Sequence, residues 1–238
     1  MKPADLPLAQ TYAFVAARVM GLRRILEVGC GDGRLARHLA ATASDVSALD
    51  LELPSDRPAG VTWIERDFLA HEAEPYHAIA FTSSLHHITP LADAVEKAYE
   101  LLAPGGLLLA EELDLDAPDE TTATWFYGIQ QLLAMQGVYS QSAIGGRPGD
   151  PPLTRWQDEH RHDPPLHTGR AMKDAIRRVF GEPRIGVGPY LYRYVCAHLP
   201  ATSNAGRFAS RVFETEKQRI AAGSLKPVGL RLVARKRI

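Results

Sequence analysis

Cysteine is scarce in this chain. Its 238 residues include two, Cys30 and Cys196, which make no disulfide framework and no Cys-x-x-Cys pair of the metal-binding kind. No apolar run approaches the roughly 18 residues needed to cross a bilayer, and no short apolar stretch with a cleavage site opens the chain. A soluble protein of the reducing cytoplasm is the expectation. Excess charge of one sign is also missing: 27 Lys and Arg stand against 28 Asp and Glu, a net charge of −1. The only basic cluster of note is the short Arg235-Lys236-Arg237, so electrostatics nominate neither nucleic acid nor a membrane surface. The expected partner is a small molecule, with the oligomeric state left open.

What the chain does have is a run in which a buried-strand pattern meets alternate glycines and then a helix. Ile25, Leu26 and Val28 suit a parallel strand buried on both faces, and Leu35 and Leu39 share one helical stripe. Between them, Gly29, Gly31 and Gly33 form a tight turn where positive φ is accepted and backbone amides can approach a ligand with no Cβ in the way. A dinucleotide fingerprint would read G-x-G-x-x-G, but here the third glycine comes one residue early and Arg34 stands in its place, which counts against a nicotinamide cofactor.

The alternation continues along the chain. Leu8, Tyr12, Val15 and Val19 recur at helical spacing up to Gly21. Strands are expected at 46–49, 61–64, 78–81 and 107–110, then at 190–199 and 229–235 with a helix between the last two. Thr89 is read as the cap of a helix with Pro90 at its first position, Leu91, Val95, Ala98 and Leu102 as its stripe, and Pro104-Gly105-Gly106 as its end. Thr168 is read as the cap of another, with Met172, Ile176, Val179 and Phe180 inside and Gly181 closing it. Short strands alternating with helices define a doubly wound α/β sheet. From about 119 to 168 the texture changes: a helix through Trp125 and Leu133 gives way to a Gly- and Pro-rich stretch, read as a lid-like insertion within one domain spanning 1–238.

The arrangement Glu27-Val28-Gly29-Cys30-Gly31-Asp32-Gly33 resembles the first motif of class I S-adenosylmethionine-dependent methyltransferases of the small-molecule, type 11/12 sort. That resemblance implies a seven-stranded, mostly parallel Rossmann-like sheet whose last two strands form an antiparallel hairpin. It also implies S-adenosyl-L-methionine as methyl donor and S-adenosyl-L-homocysteine as product. Glu27, Gly29, Cys30, Gly31 and Gly33 would then form the cofactor turn. Asp50, with Leu51 beside it and Glu52 in reserve, resembles the acid that accepts the ribose diol, the alternative being a solvated strand end. Asp67 and Phe68 resemble the positions that meet the adenine, the alternative being an Asx-type turn with Phe68 in the core. Thr82 and Ser83, with His86 and His87 in the same run, resemble the motif bordering the methionine part of the cofactor and the acceptor.

A neutral imidazole accepts a proton near pH 7, so His87 and then His86 are the candidate bases, unless the pair only shapes the loop. Glu112 is a further candidate to orient or deprotonate the acceptor, unless it belongs to a solvated acidic loop. Trp125, Tyr139, Trp156 and His160 are candidates to line an acceptor pocket, with ordinary packing as the alternative. The 158–163 run and His167 are dense in imidazole and carboxylate but lack His-Glu-x-x-His spacing, so no metal is expected. No Asn/Asp-Pro-Pro-Tyr/Phe motif follows the fourth strand, which argues against DNA-adenine or protein-glutamine methylation. The implied reaction is methyl transfer to an O or N nucleophile of a small molecule, the alternative being a non-catalytic cofactor-binding module.

Overall fold

A computed structural model describes residues 1–43, 45–147 and 149–238. In chain order its elements are α1 (Asp5–Val19), β1 (Arg24–Val28), α2 (Arg34–Ala40), β2 (Asp45–Asp50), β3 (Val61–Glu65), β4 (Tyr76–Thr82) and α3 (Leu91–Leu101). There follow β5 (Leu102–Leu113), α4 (Glu120–Met135), α5 (Pro152–Glu159), α6 (Gly169–Phe180), β6 (Arg184–Gly188), α7 (Leu191–His198), α8 (Ser203–Ala221) and β7 (Gly229–Arg235). The strands form one seven-stranded sheet ordered β3-β2-β1-β4-β5-β7-β6. β1 runs parallel to β2 and β4, β2 to β3, and β4 to β5. β7 is antiparallel to β5: Lys236 pairs with Gly105 and Gly106 near the start of β5, whereas Val228 accepts from Asp114 just past its end. The order reverses between β1 and β4, the topological switch point at whose carboxyl edge ligands bind in such sheets.

The chain divides into two compact units. One comprises Gln10–Glu112, His167–Gly186 and Leu230–Ile238, and its core is built from the inward faces of β1, β4, β5 and β7 with α3 and α6 packed on them. Ala94, Val95 and Ala98 of α3 and Met172 and Ile176 of α6 are buried there, a spacing of three and four that puts each set on one helical stripe. The other unit comprises Met1–Ala9, Leu113–Leu166 and Val187–Gly229 and has its own core, rich in aromatic rings: Phe126, Tyr127, Tyr139, Trp156, Tyr190 and Tyr192.

The structure corrects the sequence reading at several points: Leu102 and Pro104-Gly105-Gly106, read as the last stripe position and the stop of α3, lie in β5. Residues 190–199 form a helix, not a strand: Leu191, Tyr192, Val195 and Cys196 are buried, which is helical spacing, and the aromatic and β-branched content mimicked a strand. Pro90, not Thr89, is the cap residue of α3, and the Thr89 hydroxyl lies instead 3.2 Å from Nε2 of His167. The second half of the insertion is more regular than its composition promised, with a 3-10 turn at Gln141–Ala143 and α5 after it. The sixth strand is Arg184–Gly188, an exposed edge with two glycines that carries no buried alternation to read. Thr168, by contrast, caps α6 as expected, its hydroxyl accepting from the Ala171 amide.

α7 starts without a local cap. The amides of Tyr190, Leu191 and Tyr192 donate instead to the carboxylate of Glu216 on α8, at 2.7, 2.9 and 2.9 Å. Burial pushes the Glu216 carboxyl up to about 7, against the pull of those three donors. Removing the carboxylate leaves the donors without a partner in a dry setting, so Glu216→Ala is expected to cost about 3 kcal/mol. Urea unfolding would show it, and Glu216→Gln, which keeps one acceptor oxygen, is expected to lose less.

Candidate cofactor turn and acceptor loop

The end of β1 and the start of α2 are joined by the glycine turn, and its three glycines serve different ends. All have positive φ: 74° at Gly29, 52° at Gly31 and 69° at Gly33. A Cβ on Gly29 would stand 2.4 Å from Cβ of Ser84, and one on Gly33 would stand 2.4 Å from the Trp63 ring. A Cβ on Gly31 would meet nothing within 4 Å. Two glycines therefore allow close packing of the protein on itself, while the Cβ side of Gly31 faces open space. Gly31→Ala is expected to fold, with a cost of about 1 kcal/mol for its φ, and to lose about tenfold or more in cofactor affinity. Gly33→Ala should destabilise considerably more. Thermal unfolding beside a calorimetric titration separates the two.

Asp50, at the end of β2, reaches back to this turn. Its Oδ2 accepts from the Gly31 amide at 2.8 Å and its Oδ1 from the Leu51 amide at 2.8 Å, with the Glu52 amide at 3.5 Å. A carboxylate has about four acceptor sites, so capacity remains for a diol. Leu51 beside it is 73% exposed, an apolar side chain left uncovered.

Glu27 lies beneath the turn, 2% exposed, with its Oε2 lacking a hydrogen-bond partner among the described residues. Burial raises its carboxyl to about 8, and the charges of Asp32 and Asp50 push the same way. Hydrogen bonds from the Ala36 amide, in the first turn of α2, and from the Thr82 side chain oppose the shift. Gly33 cannot cap α2 with a side chain, so Glu27 supplies that bond from below. The folded carboxyl holds its proton up to about pH 8, whereas the unfolded one releases it near 4.5, so stability should fall as pH rises between those values. Glu27→Gln is expected to remove about 2 to 4 kcal/mol of that slope, seen as converging wild-type and variant stabilities toward acid pH in chemical denaturation. Cys30, buried in the same turn, has its thiol pushed up to about 12 by burial and is therefore unreactive.

Asp67 makes the Asx-type turn weighed above: its Oδ1 accepts from the Leu69 amide at 2.8 Å. The Phe68 ring is buried in the core, edge-on to Phe81 at 5.3 Å, so a ligand near this turn would meet the Phe68 backbone and not its ring.

The turn after β4 is densely hydrogen-bonded. Ser83 has φ 60°, unusual for a residue with a Cβ, and its amide donates to the Glu111 carbonyl. The Ser84 hydroxyl donates to the Val28 carbonyl at 2.6 Å. Glu112, fully buried, takes the Ser84 and Leu85 amides on Oε1 and Nδ1 of His86 on Oε2 at 2.5 Å. Both Glu112 oxygens are committed inside the protein, in a dyad where the carboxylate orients an imidazole. His86 is 5% exposed, while the neighbouring His87 ring, 4.2 Å away between centroids, reaches the surface.

The adjacent Glu111 faces the other side of the sheet, as successive strand residues must. It accepts from Thr11 of α1 at 2.5 Å and from Arg231 of β7 at 2.7 Å. Ser84, Trp63, Thr11 and Arg231 were not singled out from the sequence, because each matters through a neighbour distant in the chain.

The four aromatic and imidazole candidates of the insertion belong to the second unit. Trp156, 1% exposed, stacks on His160 at 3.9 Å and donates from Nε1 to the Leu115 carbonyl. His160 bonds through Nδ1 to the Trp156 carbonyl and through Nε2 to the Tyr194 hydroxyl. Tyr139 is buried with its hydroxyl 3.3 Å from Gln130, and Trp125 packs against the same core.

A sheet of this order, with a glycine turn after its first strand and an acid at the end of its second, defines the class I S-adenosylmethionine-dependent methyltransferases. A family described as a methyltransferase domain matches residues 5–176, and the chain belongs to it. Over 98 residues the chain is 33% identical to an uncharacterized methyltransferase of Mycobacterium tuberculosis, covering 37% of this chain and 50% of that protein. It is 31% identical over 108 residues to the malonyl-[acyl-carrier protein] O-methyltransferase of Salmonella typhimurium, covering 42% and 43%. The chain thus spans half or less of the length of these relatives. Among solved structures, the 1,6-didemethyltoxoflavin-N1-methyltransferase of Burkholderia thailandensis, with bound 1,6-didemethyltoxoflavin and S-adenosylhomocysteine, aligns with a TM-score of 0.55 at 16% identity, over 98% of this chain and 79% of that one. The N-methyltransferase NodS of Bradyrhizobium japonicum aligns with a TM-score of 0.52 at 13% identity, over 99% and 98%. The open space at Gly31, the spare acceptor sites of Asp50 and the exposed Leu51 would fit a bound S-adenosylmethionine. Among the described residues no helix is long and apolar enough to cross a membrane.

Proposed function

We propose that this enzyme methylates an oxygen or nitrogen nucleophile of a small molecule, releasing S-adenosylhomocysteine, and that the 119–168 insertion serves as the acceptor lid of a single domain. The observation that carries the reading is the glycine turn with Asp50 bonded to the Gly31 amide at the switch point of the sheet. Names among the relatives support the acceptor class: a malonyl-[acyl-carrier protein] O-methyltransferase, a ubiquinone biosynthesis O-methyltransferase, and N-methyltransferases among the structural neighbours.

When bound, the cofactor supplies a methyl group already activated on a sulfonium sulfur. The remaining work is orientation and exclusion of water, which needs no strong base for a good nucleophile. In this reading Asp50 takes the ribose diol and Leu51 lies against the purine. Asp67 and the Phe68 backbone meet the base edge, and Thr82 and Ser83 border the methionine part. His87, exposed on a rigid turn, is the group placed to accept an acceptor proton. Glu112 is a positioning residue that fixes His86, and Trp125, Tyr139, Trp156 and His160 belong to the lid.

The test is transfer of radiolabelled methyl from S-adenosylmethionine to a panel of hydroxy and amino metabolites. Label is expected in a small molecule, and Asp50→Ala is expected to weaken S-adenosylhomocysteine binding about 10- to 100-fold by calorimetry. Label appearing only in nucleic acid or protein would overturn the acceptor class.

A further inference from the structure

The turn between β4 and α3 carries His86 and His87, and Glu111, Glu112 and Val28 hold it from inside. Its outer side meets a residue far along the chain, His167, which stands just before the Thr168 cap of α6. The His167 amide donates to the His86 carbonyl at 2.9 Å. The ring does more: Nε2 lies 3.0 Å from the Ile88 carbonyl oxygen and 3.2 Å from the Thr89 hydroxyl. A carbonyl oxygen only accepts, so Nε2 carries a proton and donates it.

The turn cannot supply this rigidity alone. Its centre, Leu85–His87, is a single 3-10 turn closed by His87 N–H to the Ser84 carbonyl and Ile88 N–H to the Leu85 carbonyl. Such short turns have poorer hydrogen-bond geometry than an α-helix. With Ser83 already at positive φ, tethers on both sides keep the two imidazoles at fixed positions.

We propose that His167 is a positioning residue for methyl transfer: its Nε2–H, by holding Ile88 and Thr89, sets the orientation of the loop that presents His86 and His87. The inference rests on the reading that this loop borders the reacting groups. It concerns neither metal binding nor proton transfer by His167 itself. What it requires at position 167 is an N–H donor at the reach of Nε2, which a glutamine amide can supply and an alanine cannot.

The experiment compares His167→Ala with His167→Gln. At saturating S-adenosylmethionine, His167→Ala is expected to lower kcat about 10- to 100-fold, since small misplacements in such loops cost that much. His167→Gln should return to within about threefold of wild type. S-adenosylhomocysteine affinity should stay within about threefold in both, because the glycine turn and Asp50 are untouched. A second readout needs no acceptor: the His86 Nδ1 proton, in its short bond to Glu112, should give a far-downfield NMR signal that shifts or broadens in His167→Ala and returns in His167→Gln. Unchanged kcat and an unchanged His86 signal in His167→Ala, or equal losses in Ala and Gln variants, would overturn the proposal. If wild-type protein methylates nothing, the functional reading fails, and the His86 signal still decides the role of His167. Should His167→Ala fail to fold, His167→Phe keeps the ring without the donor and is expected to behave as described for alanine.

Discussion

A carboxylate with no access to water must be fully satisfied, and the geometry of the loop after β4 depends on that constraint at Glu112. Leaving a buried charge without donors costs several kcal/mol, so the end of β5 holds its position only while the Ser84 and Leu85 amides and the His86 imidazole converge on it. The same requirement explains why the loop tolerates a positive φ at Ser83 and places a histidine inside. Three donors on one carboxylate leave the loop little freedom.

Glu111 and Glu112 together show how a strand end organises two walls at once. Successive residues face opposite sides of a sheet, so one carboxylate holds the loop after β4 while its neighbour ties α1 to β7 through Thr11 and Arg231. The glycine turn sits at the carboxyl edge of the sheet with them. Gly29 lets Ser84 approach from that loop, and Gly33 lets Trp63 approach from β3. Of the three glycines of the turn, Gly31 is the one with no side chain packed over its Cα.

Much of the scaffold was legible because it is written locally. Buried parallel strands read as apolar runs, α6 announces itself with a threonine cap and a glycine stop, and the glycine spacing excludes a nicotinamide fingerprint. The misreadings share a cause. Residues 190–199 carry strand-like composition, and the cap that makes them a helix is a glutamate on α8. β6 is an exposed edge whose pairing with β7, not its own pattern, makes it a strand. Glu112 read equally well as a solvated acid or a candidate base, and its burial decides its use as an internal anchor.

The sequence by itself determined the fold class and the family resemblance, since both depend on short-range features: the period of apolar residues, glycines that permit positive φ, and an acid at a strand end. Tertiary structure alone decided which glycine is open, which carboxylates are buried, and which histidine is held inside and which reaches the surface. Those outcomes are set by contacts between residues 19 to 120 positions apart, such as Gly31 with Asp50, His86 with Glu112, His167 with Ile88 and Arg231 with Glu111. Such pairs meet only when the sheet is assembled, because desolvation and hydrogen-bond geometry act through space and leave no periodic trace in the chain.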